Sequence, residues 1–255
     1  MDYSFKFLFG FHVIYKSNGE GNVSTAAIEA QMEVLNEDFR AFSGTMGSNG
    51  FDSKIQFTLT GITRTQNDIW FDEDKADEYK PALAVNTDTH MNIYTTSAGG
   101  YLGYAYFPQD RASVGVLDGI VLLHSSVGGR DNGFSIYNQG RTLVHEMGHA
   151  LGLYHTFDNG ATCLNTYDEG DLILDTPAEV EPHYSCTQTT SCSSPDPIYN
   201  YMNYTPDSCM NQFSAEQSNR MVCSTINYRP NIFTLIDTST PNNMINPSVL
   251  MYLLN

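Results

Sequence analysis

The sequence predicts an α+β fold, on three observations. Strand-like segments and two helical stretches fill the first part of the chain. A segment from 156 to 213, rich in Asp, Thr, Ser, Pro and Cys, shows little periodicity, and a capped helix follows it. At 255 residues, 41% of them hydrophobic, the chain suits one compact domain or two closely packed subdomains.

Taken in order, Phe5–Tyr15 reads as a strand; it is apolar but short, and Lys6, Gly10 and His12 break it, which is unlike a signal peptide. Ser24 is placed to cap a helix running to about Phe42, with Ile28, Met32, Leu35 and Phe39 at helical spacing. Lys54–Ile62 alternates through Ile55, Phe57 and Leu59 as a half-buried strand. Met91–Thr95, Tyr101–Tyr106 and the strongly apolar Gly119–His124 are further strands. Asn138 is placed to cap a helix that runs to about Leu151. Ser214 opens the last helix, to about Tyr228, with Gln217 at the capping-box position, and the tail from Pro230 reads as loop. There are no internal repeats.

The helix before Leu151 carries the chemistry. Residues 145–155 read His145-Glu146-Met147-Gly148-His149-Ala150-Leu151-Gly152-Leu153-Tyr154-His155, an HExxHxxGxxH pattern. Positions i and i+4 share one helix face, so His145 and His149 can direct two imidazoles at one metal ion. Glu146 can reach a water at that metal. Gly152 lets the chain leave the helix and bring His155 round as a third ligand. Three imidazoles leave a tetrahedral position open, the arrangement of a catalytic rather than a structural zinc. A lone His on an apolar helix is usually a core or surface residue; the fixed offsets of Gly152 and His155 make chance matching far rarer.

Acids outnumber bases 29 to 12, and the net charge of −17 argues against nucleic acid as a partner. An acidic surface suits a secreted protein and attracts calcium. No stretch of about 18 apolar residues is present to span a membrane. If the protein is secreted, its signal and any pro-segment are expected to be missing from this chain. The cysteines are Cys163, Cys186, Cys192, Cys209 and Cys223, and none forms a CxxC pair. Two disulfides stapling the irregular segment are favoured over metal ligation, with the pairing left open and Cys223 expected to be buried in a helix.

A second constellation follows: Asn200-Tyr201-Met202-Asn203-Tyr204. With the HExxHxxGxxH run it resembles the metzincin clan of zinc peptidases. Closer still is the pappalysin family, which the chain resembles in Gly140-Arg141-Thr142-Leu143-Val144 before the motif, Thr156-Phe157 after it, Asp171 through Asp175-Thr176-Pro177, Cys209, and Gln212-Phe213-Ser214. The resemblance spans about residues 118–223. It implies a mixed twisted sheet with two long helices above a zinc cleft, in a subdomain 1–152. Below it lies an irregular, disulfide-stapled subdomain 153–255 with a C-terminal helix.

It further implies that His145, His149 and His155 bind one zinc, that Glu146 is the general base, that Met202 packs beneath the metal, and that Tyr204 donates its hydroxyl to the tetrahedral intermediate. Gly119–His124 would be the upper rim of the cleft, pairing with an extended protein or peptide substrate. The implied disulfides are Cys163–Cys192 and Cys186–Cys209. The implied calcium ligands are Asp171, the Leu174 carbonyl and Thr176; the plain reading of Asp168, Glu169, Asp171 and Asp175 is a solvated acidic loop. Family members that prefer Arg after the scissile bond carry an acid directly before the Cys that follows the Met turn. Here Ser208 stands there, with Asp207 one place earlier, so strict Arg preference is not expected. The alternative from another class is a zinc-binding module without turnover; Glu146 argues against it, because inactive relatives commonly lose that residue and keep the histidines.

Overall fold

A computed structural model of the chain describes residues 3–129, 132–158, 162–238 and 243–245. Its long first strand, β1 (Tyr3–Tyr15), pairs in parallel with β2 (Ile55–Gln66) and β3 (Met91–Thr96). Between the first two runs α1 (Thr25–Arg40), whose N-cap Ser24 accepts a hydrogen bond from the Ala27 N–H; Ala41 ends it in the left-handed region. Two short helices, α2 (Asp68–Asp72) and α3 (Ala76–Leu83), follow β2. Next come β4 (Gly103–Ala105), α4 (Arg111–Val114) and β5 (Ile120–Leu123). β5 is parallel to β3 and antiparallel to β4, which forms the end of the sheet. Among the described residues, the motif helix α5 (Arg141–Ala150) and the C-terminal helix α6 (Ala215–Tyr228) are the remaining α-helices, and β6 (Phe233–Asp237) and β7 (Asn243–Ile245) the remaining strands.

β1 is buried almost continuously because the sheet is covered on both faces. Phe5, Phe7, Phe9, Phe11 and Val13 meet Ile28, Leu35 and Phe39 of α1 and Leu143, Val144 and Met147 of α5. Ile14 belongs to a smaller cluster with Phe71, Tyr79, Tyr94 and Val121, under α2 and α3. Lys80 of α3 is buried there among the rings of Tyr94, Tyr104 and Tyr106 and donates to the carbonyls of Leu117 and Gly119, so it braces the β4–β5 hairpin.

Four expectations change. Gly119–His124 is not the rim of the cleft: β5 lies between β3 and β4, so both its edges are engaged and β4 supplies the rim. The tail from Pro230 is not all loop, since Phe233–Asp237 pairs antiparallel with Tyr3–Phe7. Asn138 is not the cap of α5; Gly140 occupies that position with φ 79° and the capping carboxylate comes from Asp207. Cys223 lies in α6 as expected but is exposed. The capping box of α6 is formed by Ser214 and Gln217.

Candidate active site

The first turn of α5 is held from two directions. Asp207 Oδ2 accepts from the backbone N–H of Gln139 (2.8 Å) and Arg141 (3.2 Å). The buried Arg141 guanidinium has Nε 3.2 Å from Asp38 Oδ2 on α1 and donates to Gln139 Oε1 and the Asp207 carbonyl. Burial pushes the Asp38 carboxyl up to about 6, and the Arg141 charge opposes that shift.

One turn further on, the imidazoles converge. His149 Nε2 lies 3.2 Å from His145 Nε2 and 3.0 Å from His155 Nε2. Gly152, at φ 104°, turns the chain after the helix, and a Cβ there would strike Ser224 Oγ at 2.5 Å. His145 Nδ1 meets the Tyr201 carbonyl and His149 Nδ1 the Leu153 carbonyl, both at 2.7 Å. A carbonyl can only accept, so the proton sits on Nδ1 and the Nε2 lone pair faces the point of convergence. Burial, then the neighbouring imidazoles, holds His145 well below the ordinary histidine range and His149 at about 4, so both are neutral at pH 7 as metal ligands must be. Zinc–nitrogen bonds of about 2.0–2.1 Å in a tetrahedron place ligand nitrogens about 3.3 Å apart. Both distances from His149 Nε2 fit that geometry.

Glu146 is buried on the cleft wall, where burial pushes its carboxyl up to about 8. It packs against β4 so closely that a Cβ on Gly103 would lie 2.8 Å from Glu146 Cγ. The Tyr204 hydroxyl lies 3.1 Å from His155 Nε2, and burial pushes its pKa up to about 12. Met202 is fully buried with its sulfur against Gly148 of α5. The histidines, Glu146 and Tyr204 line a cleft of about 580 Å³ together with residues 101–105, Tyr137, Tyr184 and Met210.

The remaining sequence candidates lie outside the metal centre. Asp207 lines the cleft, but both its bonds from backbone N–H groups serve α5; Ser208 is exposed and sits 3.7 Å from the Cys186 sulfur. Disulfides join Cys163–Cys192 and Cys186–Cys209. Asp171 is buried, accepting from the Thr176 hydroxyl (2.7 Å) and the Ile173 N–H (3.1 Å), while Leu174 is exposed and its N–H donates to Glu216. Asp175 accepts from the Glu216 N–H and the Ser214 hydroxyl, at the start of α6. Sequence reasoning missed the carbonyls of Tyr201 and Leu153, because a backbone acceptor has no residue signature. It also missed the Arg141–Asp38 pair, whose members are 103 residues apart.

The chain is similar to known proteins in sequence and in fold. The sequence matches the peptidase M43 family, pregnancy-associated plasma protein-A, over residues 75–225. It is 38% identical over 219 residues to an extracellular metalloprotease of Pyricularia oryzae, covering 82% of this chain and 71% of that one. To extracellular metalloprotease 1 of Coccidioides posadasii it is 36% identical over 220 residues, covering 83% and 73%. Among solved structures, mature mirolysin of Tannerella forsythia in complex with a cleaved peptide aligns with a TM-score of 0.72 at 32% identity, covering 86% of this chain and 90% of that one. A Tannerella forsythia promirolysin variant aligns with a TM-score of 0.79 at 30% identity, covering 90% and 84%. With a family match across more than half its length, and the converging histidines inside that match, the chain belongs to peptidase family M43, the pregnancy-associated plasma protein-A metallopeptidases, and has their metzincin fold.

Proposed function

We propose that this metallopeptidase is a secreted zinc endopeptidase that cuts extended segments of proteins or peptides between β4 and the loop after Met202. The observation that carries the reading is the convergence of three Nε2 atoms within 4.8 Å of one another, those of His145 and His155 lying 3.2 and 3.0 Å from that of His149, with Glu146 on the same cleft wall. His145, His149 and His155 hold the zinc. Zinc, when bound, polarises the scissile carbonyl and makes water acidic enough to attack near neutral pH. A dication held by the three imidazoles would favour the ionised Glu146 carboxylate against its burial, and in that form Glu146 takes the proton of the attacking water and returns it to the leaving amine. The Tyr204 hydroxyl donates toward the oxyanion; losing one such donor typically costs about 10²–10³ in rate. β4, the end strand of the sheet, offers its outer edge to the substrate backbone.

For specificity, the Asp207 carboxylate is committed to α5 and Ser208 points elsewhere, which supports tolerance for uncharged or apolar residues after the scissile bond. Secretion accords with the two disulfides and with relatives named extracellular metalloproteases. No helix among the described residues is long and apolar enough to cross a membrane. The same reading divides one catalytic domain into an upper part, 1–152, and a lower part, 153–255, from which β6 returns to pair with β1. A structural calcium at Asp171, the Leu174 carbonyl and Thr176 is part of the same proposal; it rests on the buried Asp171 carboxyl, pushed up to about 7 chiefly by burial, with the Thr176 hydroxyl against it.

The test is Glu146→Ala. It should abolish casein hydrolysis while zinc content stays at the wild-type value. Near-normal turnover in this variant, or wild-type activity that survives complete zinc removal, would overturn the reading.

A further inference from the structure

We propose that Glu179, His183 and Asp196 form a second divalent-metal site, of the zinc type, in the irregular segment after the motif helix, with both carboxylates buried and the imidazole partly exposed. His183 Nε2 lies 3.2 Å from Glu179 Oε2 and 3.2 Å from Asp196 Oδ2, and the three ligand atoms all lie within 4.8 Å of one another. The two spacings from His183 Nε2 match the roughly 3.3 Å between neighbouring ligands of a tetrahedral zinc. Thr189 Oγ1 lies 3.2 Å from the same nitrogen and also hydrogen-bonds Asp196.

Both carboxylates are held by neighbouring donors, with Asn203 Nδ2 also 3.0 Å from Glu179 Oε2, and Asp196 Oδ2 is the oxygen left without a hydrogen-bond partner. Glu179 Oε1 accepts from the Thr156 hydroxyl and from Asn203 Nδ2 (2.8 Å). Asp196 Oδ1 accepts from the Ser191 N–H (3.0 Å) and the Ser191 hydroxyl (2.6 Å). Carboxylates held in this way are oriented as metal ligands are. Asp196 Oδ2 is buried, and neither carboxylate side chain has any exposure.

Charge points the same way. A neutral imidazole carries one ring proton and can donate it to one of the two carboxylates at a time. An imidazolium would still leave the pair one negative charge in excess, in a buried place where uncompensated charge is costly. A dication with two carboxylates and a neutral imidazole sums to zero. The imidazole ligand favours zinc over calcium, which takes 6–8 oxygens. The cluster is also well placed to matter. Thr156 directly follows His155, and Asn203 sits between Met202 and Tyr204, so an ion here would fix the two loops that carry the third histidine and the tyrosine.

The experiment uses the full chain carrying Glu146→Ala to suppress self-cleavage. The protein is stripped with a chelator, titrated with zinc chloride, and its bound zinc counted by elemental mass spectrometry. Two equivalents are expected. Adding His183→Asn or Asp196→Asn should leave one, and adding His149→Ala in place of these should also leave one. Cobalt(II) titration of the parent should show two spectroscopically distinct saturations, a count that does not depend on how the variants fold. A single equivalent at saturating zinc overturns the proposal, as does a second equivalent that survives both His183→Asn and Asp196→Asn. Failure of the catalytic-zinc reading is separately visible, as two equivalents retained by His149→Ala.

Discussion

Replacing Asp207 by alanine removes the carboxylate that caps α5, the helix of His145 and His149. The Gln139 and Arg141 N–H groups lose their acceptor at 2.8 and 3.2 Å, and Arg141 is buried. Each buried N–H left unpaired costs about 1–3 kcal/mol. The lost negative charge at a helix N-terminus adds about 0.3–1 kcal/mol. Against this, burial raises the Asp207 pKa, so part of the gain is already spent on desolvation. A net loss of about 2–4 kcal/mol follows, and at about 2–4 °C per kcal/mol for a chain of this size the melting temperature should fall by about 5–15 °C. Asp207→Asn keeps an acceptor oxygen and should lose about half as much. Because the same carboxylate is bound to α5, neither change should alter which residue is preferred after the scissile bond. The assays are urea denaturation and cleavage of a proteome-derived peptide library. Unchanged stability in Asp207→Ala, together with loss of an Arg preference in Asp207→Asn, would show that the carboxylate works in the specificity pocket and not as a cap.

Gly103→Ala should cut kcat by at least about tenfold with zinc content unchanged, because its Cβ would meet Glu146 Cγ at 2.8 Å and the Val121 carbonyl at 3.0 Å; wild-type kcat would show that β4 yields instead. Calcium should raise the melting temperature with concentration at fixed zinc, by an amount equivalent to about 2.7 kcal/mol at one hundred times Kd, and Asp171→Asn should remove the response. A flat melting curve between chelator and millimolar calcium would remove that ion from the account. His12 is buried between Thr63 and Asn92, and burial lowers its pKa below 6.5. The folded state therefore binds fewer protons than the unfolded one, so its contribution is full above pH 6.5 and is lost as the pH falls below that. The stability advantage of wild type over His12→Gln should shrink between pH 7.5 and 5; a constant gap in urea denaturation at the two pH values would contradict this.

What could be read directly from the sequence is local in origin. His145 and His149 share a helix face because of helical pitch alone, and Gly152 turns the chain because only a residue without a Cβ fits there. Ser24 and the Ser214–Gln217 box act within a few residues of themselves. The alternating or apolar strands follow from burial on a sheet. Tertiary structure decided the rest. Asn138 and Asp207 are both chemically able to cap α5, and only the approach of the loop after Met202 selects Asp207. The rim passes from Gly119–His124 to β4 because strand order depends on pairing partners far away in sequence. Phe233–Asp237 becomes a strand because β1 offers it an edge, although its own surroundings read as loop. Arg141 finds Asp38, and Glu179 meets His183 and Asp196, through contacts that no periodicity encodes. A pattern within one helix turn is written by bond geometry; a pairing across the fold exists only once the core has brought the two segments together.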